Sequence, residues 1–284
     1  MRMLLNLIVT SFLATIIFSP THIFAHQPRI VQSATTTVVD PEISKAYYTK
    51  LSGVPHIYTI DSNEDFNLYV GILVPDESNP KRDVTAEIYS GQELIKTIGG
   101  KNAEWKTFFE PFGQSTYWNG GEYKVRAKAG KYRIIVTSTN NDSKYSLAIG
   151  EIEAFDGKEG MNALTLIPKL KSDFFNESPI GFIFSPFGWG LILVMYLMAF
   201  FFGFIYRAIL KKFAKTKNRK VHKNIGSPDR LVRFAIAAVL LLLAISTTWN
   251  PLLIFFSGFA LFEALFSWCG FYAALGKNSC PINS

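Results

Sequence analysis

The spacing of apolar residues changes twice along this chain, and each change marks a boundary. Phe66, Leu68, Val70, Ile72 and Val74 fall on one face with Asn67, Tyr69 and Gly71 opposite, the period of two of a half-buried strand. Short runs at 84–89, 93–98, 105–109, 123–127, 132–138 and 145–149 continue the pattern. Ser90-Gly91, Gly99-Gly100, Asn119-Gly120-Gly121, Ala129-Gly130 and Asn140-Asn141-Asp142 separate them as turns. Seven or eight short strands without a helical period predict an all-β, jelly-roll-like sandwich over residues 53–155. Residues 26–52 read as a polar tether before it, and 156–179 as a connector after it.

Past residue 179 the alternation disappears. Residues 180–206 carry no charge, long enough as a helix to span a hydrocarbon core about 30 Å thick. A basic loop follows at 207–230, and then a second apolar stretch that holds one charge, Glu263, between Phe234 and Gly276. It is interrupted at Thr247-Thr248-Trp249-Asn250-Pro251, where proline disfavours helix in the residue before it. A helical hairpin results, with spans at about 231–248 and 252–275. The expected fold class is therefore a multidomain membrane protein: an exported sandwich plus three α-helical transmembrane spans. Residues 1–25, with Arg2, an apolar run at 4–18 and a polar stretch ending in Ala25, read as a secretory signal peptide.

Charge enters as topology. The formal net charge is +7, yet ten Lys and Arg against Asp229 alone, between Arg207 and Arg233, give that segment +9 and leave −2 elsewhere. Basic residues packed between apolar spans mark the cytoplasmic side, so nucleic acid is not implied. Lys211, Lys212, Arg230 and Arg233 are placed to meet anionic phospholipid at the cytoplasmic face. The sandwich is then extracytoplasmic and the C-terminus cytoplasmic. Only two cysteines occur, Cys269 and Cys280, so the exported domain must hold by core packing without disulfides.

Asn224, Gly226, Asp229, Arg230 and Arg233 precede the hairpin, and Cys269, Tyr272, Leu275, Gly276, Asn278 and Cys280 close it. This arrangement over 224–280 resembles the YgaP-like two-helix inner-membrane domain, whose pattern reads N-x-G-x-x-D-R-x-x-R, two spans, then C-P-x-Y-x-x-L-G-x-x-T-C. Gly270 stands where that pattern has proline, and Ser279 where it has threonine. The resemblance implies a bacterial inner-membrane hairpin with a cytoplasmic basic flank; no rhodanese domain accompanies it, so no sulfurtransferase activity is carried over. Tyr123, Ala129, Gly130, Tyr132, Ile134, Tyr145, Leu147 and Ile149 resemble the last strands of bacterial pre-peptidase C-terminal jelly-roll modules, which implies a β-sandwich and no activity.

Candidate chemistry is sparse. Trp105, Tyr117 and Trp118 belong to a dense aromatic group that either stacks on sugar rings or fills the sandwich core. Cys269 and Cys280 form either a redox or sulfur-handling pair or one packed thiol and one turn residue. Glu263 is an intramembrane acid, read either as functional or as a hydrogen-bonded group joining helices through Ser246, Thr247 or Ser257. Asp61, Asn63 and Asp65 mimic the opening of a calcium loop, but Phe66 stands where its glycine belongs and no glutamate follows at the required offset. No metal site, cofactor or catalytic constellation is expected, and the chain is not read as an enzyme. The leading expectation is an inner-membrane anchor presenting a ligand- or partner-binding module to a protein or glycan. A structural subunit recruiting a partner or forming oligomers through its helices is the second expectation, and a thiol-based redox protein the third.

Overall fold

The computed structural model describes residues 26–154, 156–216, 223–275 and 277–279. The expected signal peptide, the centre of the basic loop and Cys280 lie outside them.

Among the described residues, eleven strands form two sheets. The first holds β1 (Gln27–Ile30), β3 (Lys45–Lys50), β5 (Phe66–Pro75), β8 (Lys106–Glu110), β9 (Ser115–Ala127) and β11 (Lys144–Ile149), in the order β1-β3-β11-β5-β9-β8. The second holds β2 (Thr35–Thr37), β4 (His56–Ser62), β6 (Thr85–Ser90), β7 (Glu93–Gly99) and β10 (Gly130–Thr137), in the order β2-β4-β10-β6-β7. The period of two delivers its faces as expected: Phe66, Leu68, Val70, Ile72 and Val74 are all buried. They meet Tyr58, Ile60, Ile88, Ile134 and Val136 of the other sheet in one apolar cluster.

Residues 26–52 are not a tether. β1 pairs in parallel with β3 and β2 with β4, and Val38, Tyr47 and Leu51 enter the core. Such edge strands are too short and polar to show a period of their own; partners distant in sequence make them strands. Asn119-Gly120-Gly121 is not a turn either, because β9 runs through it. The register of β9 against β5 slips between Gly71 and Leu73, and Gly121 takes φ 112° at this irregularity. Trp105 lies flat on Gly120, where an added Cβ would stand 2.5 Å from the ring.

The connector folds as helix α1 (Gly157–Asp173), capped by the Asp156 side chain accepting from the Glu159 amide at 2.8 Å. Leu170, Phe174 and Phe175 pack over Tyr48, Leu73 and Tyr117 on the outer face of the first sheet. Pro168 inside the helix obscures its signature in the sequence.

A 3-10 helix (Pro179–Phe184) leads into α2 (Pro186–Thr216), of which Pro186–Lys212 is long and apolar enough to cross a membrane. The helix expected from residue 180 therefore starts later, broken by Ser185-Pro186. α3 (Ser227–Ser246) and α4 (Pro251–Phe266) form the hairpin, with the Asn250 side chain capping α4 at the Leu252 amide. The second arm, expected to run to residue 275, stops at Phe266; Ser267 turns left-handed at φ 51°, and a short α5 (Gly270–Leu275) follows.

Candidate functional site

The break in the second arm is where the hairpin's polar residues converge. Asn224, 8 % exposed, closes a two-way amide bridge with the backbone of Cys269: its Nδ2 donates to the Cys269 carbonyl at 2.9 Å, and its Oδ1 accepts from the Cys269 amide at 2.7 Å. Glu263 Oε1 accepts from the Gly270 amide at 3.0 Å, one of the donors that the start of α5 leaves free. Glu263 Oε2 pairs with Arg233 Nε at 3.1 Å, and the guanidinium lies 5.3 Å from the centre of the Tyr272 ring. Arg233 also reaches the Asp229 carbonyl, and Arg230 Nε donates to the Ala264 carbonyl at 3.0 Å. Ser279 then joins the two flanks, bonding the Asp229 carboxylate and accepting from the Gly226 amide.

Two expectations are corrected here. Glu263 is not an isolated mid-span acid, because α4 ends three residues later and its partner is Arg233. Ser246 and Thr247 instead donate to the Leu243 carbonyl, while Ser257 donates to the Ala237 carbonyl and bonds the Tyr196 hydroxyl. Arg230 and Arg233 turn inward onto α4, whereas Lys211 and Lys212 are exposed near the end of α2. Cys269 is 2 % exposed and lies beside Arg233. Gly270 explains its own departure from the proline of the resembled pattern: a Cβ there would sit 2.2 Å from the ring of Tyr206 on α2.

The three aromatic candidates of the β-domain do not share a platform. Tyr117 is buried on the outer face of its sheet under α1, its hydroxyl bonded to that of Tyr48 at 2.8 Å. Burial of the pair and their shared bond push the Tyr117 phenol far up. Trp105 and Trp118 pack on the core side; Trp105 donates to the Gly100 carbonyl at 3.0 Å. Trp118 donates to Asp76 at 2.8 Å and carries the Arg82 guanidinium 4.3 Å above its ring. Asp65 and Asp61 pair with Lys128 and Lys131 and do not converge on a cation site.

A feature invisible in the sequence is Lys171 of α1, 2 % exposed. Its ammonium donates to the carbonyls of Gly113 and Gln114 at 3.1 and 2.7 Å, to Ser115 Oγ at 3.0 Å and to Glu177 at 2.6 Å. The β8–β9 turn is thereby tied to the chain entering the helices. Phe112 of that turn meets Phe187 of α2 with ring centres 5.3 Å apart, and Trp249 at the hairpin tip donates to the Pro179 carbonyl at 2.9 Å.

Two sheets with their own core, joined to apolar helices of which one can cross a bilayer, define a membrane-anchored protein with a β-rich domain. Residues 221–283 match the family described as inner membrane protein YgaP-like, transmembrane domain. Comparison with curated proteins found no match. Among solved structures, the pre-peptidase C-terminal domain of a collagenase from Bacillus anthracis is similar at 13 % identity and a TM-score of 0.25, covering 44 % of this chain and 96 % of that one. CorA, a surface-associated copper-binding protein of Methylomicrobium album BG8, is similar at 9 % identity and a TM-score of 0.22, covering 44 % of this chain and all of that one. A β-glucosidase from Kluyveromyces marxianus is similar at 23 % identity and a TM-score of 0.21, covering 40 % of this chain and 13 % of that one.

Proposed function

We propose that the chain is a bacterial inner-membrane protein that holds a periplasmic β-sandwich at a fixed attitude on three spans, as a non-catalytic module for binding a protein or glycan partner. The observation that carries this reading is the joint around Lys171. Four acceptors on one buried ammonium, together with the Phe112–Phe187 and Trp249–Pro179 contacts, leave little room for a swinging tether. A module held this way keeps the same surface turned away from the bilayer.

The proposed orientation is supported by α2, which starts at Pro186 and carries exposed Lys211 and Lys212 near its other end, residues suited to anionic headgroups on the cytoplasmic side. In intact spheroplasts carrying Cys280→Ser, a membrane-impermeant maleimide should label Leu94→Cys and spare Lys211→Cys. The reverse pattern would sink the topology. Binding is tested separately, by glycan arrays on the full chain in detergent and by photocrosslinking in cells from the β6–β7 turn. If neither yields a ligand or an adduct, the sandwich is a spacer and the helices carry the function.

A further inference from the structure

Beside the Lys171 joint, the β8 end of the β-domain meets the helices through apolar contacts. Phe108 and Phe112 line one small cavity with Ile167 of α1 and Phe187 of α2, so the β8 edge, the connector helix and the top of α2 form one layer. The 3-10 helix joins it through Phe182, whose ring lies 5.0 Å from that of Trp249. From Ser178 to Tyr206 there is no charged residue. Yet this layer leaves large apolar side chains uncovered: Phe184 is 74 % exposed, Phe109 54 %, Trp189 54 % and Phe108 41 %. Phe108 and Phe109 stand on opposite faces of an edge strand, so no single packed partner within the domain explains both. Lys106, on the same strand, is exposed and pairs with Glu104 at 3.4 Å.

We propose that lipid contact extends past the first turn of α2 onto the 3-10 helix and the β8 edge. Phe184, Phe108 and Phe109 then lie in the headgroup–acyl boundary of the outer leaflet, and the β-domain rests on the membrane instead of standing clear of it. The occupant is the bilayer interface because the patch is continuous with the membrane-crossing helix through Phe187, and because aromatic rings flanked by lysine suit that zone. This inference rests on the spanning role proposed for α2.

The test places a nitroxide on the full-length protein, in Cys280→Ser background, reconstituted in phosphatidylcholine–phosphatidylglycerol vesicles. Collision with oxygen and with a water-soluble nickel chelate is compared at Phe109→Cys, Phe184→Cys, Leu197→Cys and Leu94→Cys. Leu94 lies at the far end of the domain: β9 runs away from the helices, β10 begins there, and its Tyr132 pairs with Ser90 beside the β6–β7 turn. Phe109 and Phe184 should show an oxygen-to-nickel ratio several-fold above that of Leu94. A Phe109 as nickel-accessible as Leu94, with Phe184 still oxygen-weighted, overturns this inference and leaves the span intact. A nickel-accessible Phe184, which precedes the span, also overturns it; only a nickel-accessible Leu197→Cys in the middle of α2 removes the span reading as well. A Phe109 shielded from both reagents means that protein covers the edge, which also overturns it.

Discussion

Lys171 is a cation out of water whose every donor is used. Replacing it with Met removes the charge but strands Glu177, the Ser115 hydroxyl and two carbonyls around an apolar side chain. The glutamate keeps partial access to water, so Lys171→Met should cost about 2–3 kcal/mol, read as a lowered melting temperature of the β-domain in detergent. The Arg233–Glu263 pair follows the same logic. Arg233→Met alone should cost about 3 kcal/mol, while adding Glu263→Met should recover part of the loss, because the second change removes the stranded charge. Additive losses in thermal unfolding would mean the two side chains act independently. His26 makes stability depend on pH. Burial holds its imidazole down at about 4, outweighing the attraction of Glu151, and its Nδ1 bonds Ser44. The folded state thus resists a proton that the unfolded chain accepts below about 6.5. Its contribution is complete above that pH and is lost as the pH falls towards 4, on the order of 3 kcal/mol. His26→Gln should flatten the melting temperature across this window relative to the parent protein; an unchanged slope would exclude His26 as the cause.

At the scale of elements, α2 shapes the hairpin as much as the hairpin shapes itself. Phe262 of α4 lies on Gly203, where a Cβ would come within 2.5 Å of its ring, and Tyr206 lies on Gly270. Small residues on either side let aromatic rings bring the helices close. Gly270→Ala should therefore loosen the inner end by about 1–3 kcal/mol, and Tyr206→Ala in the same chain should recover much of that loss. Thermal melts of the two single variants and the double variant decide the matter: no recovery would place the strain in the α5 backbone. The break between α4 and α5 rests on Asn224, a loop residue 45 positions from Cys269. Its amide imitates a strand partner for that backbone, a role that helical periodicity cannot announce.

Across the whole molecule, what was legible in the chain was whatever has a short period. β5 shows its buried face at every second residue, and the uncharged run after residue 178 shows α2 through length alone. The convergence of Asn224, Asp229, Arg233 and Glu263 was visible only as a spaced pattern resembling a known hairpin, with no hint of who bonds whom. β1 to β4 went unread because their hydrogen bonds close over long sequence separations, and α1 because Pro168 and its charged outer face mask the stripe that covers Tyr117. Lys171 reads in sequence as one more surface lysine. By itself, then, the sequence settled the β-rich region, the apolar anchor and the basic flank, since each depends on local hydrophobicity and charge. Only the tertiary structure decided that Tyr117 is covered, that Glu263 is paired and that the β-domain is bolted to its helices. Those outcomes depend on which distant groups lose water together, and no local pattern records that.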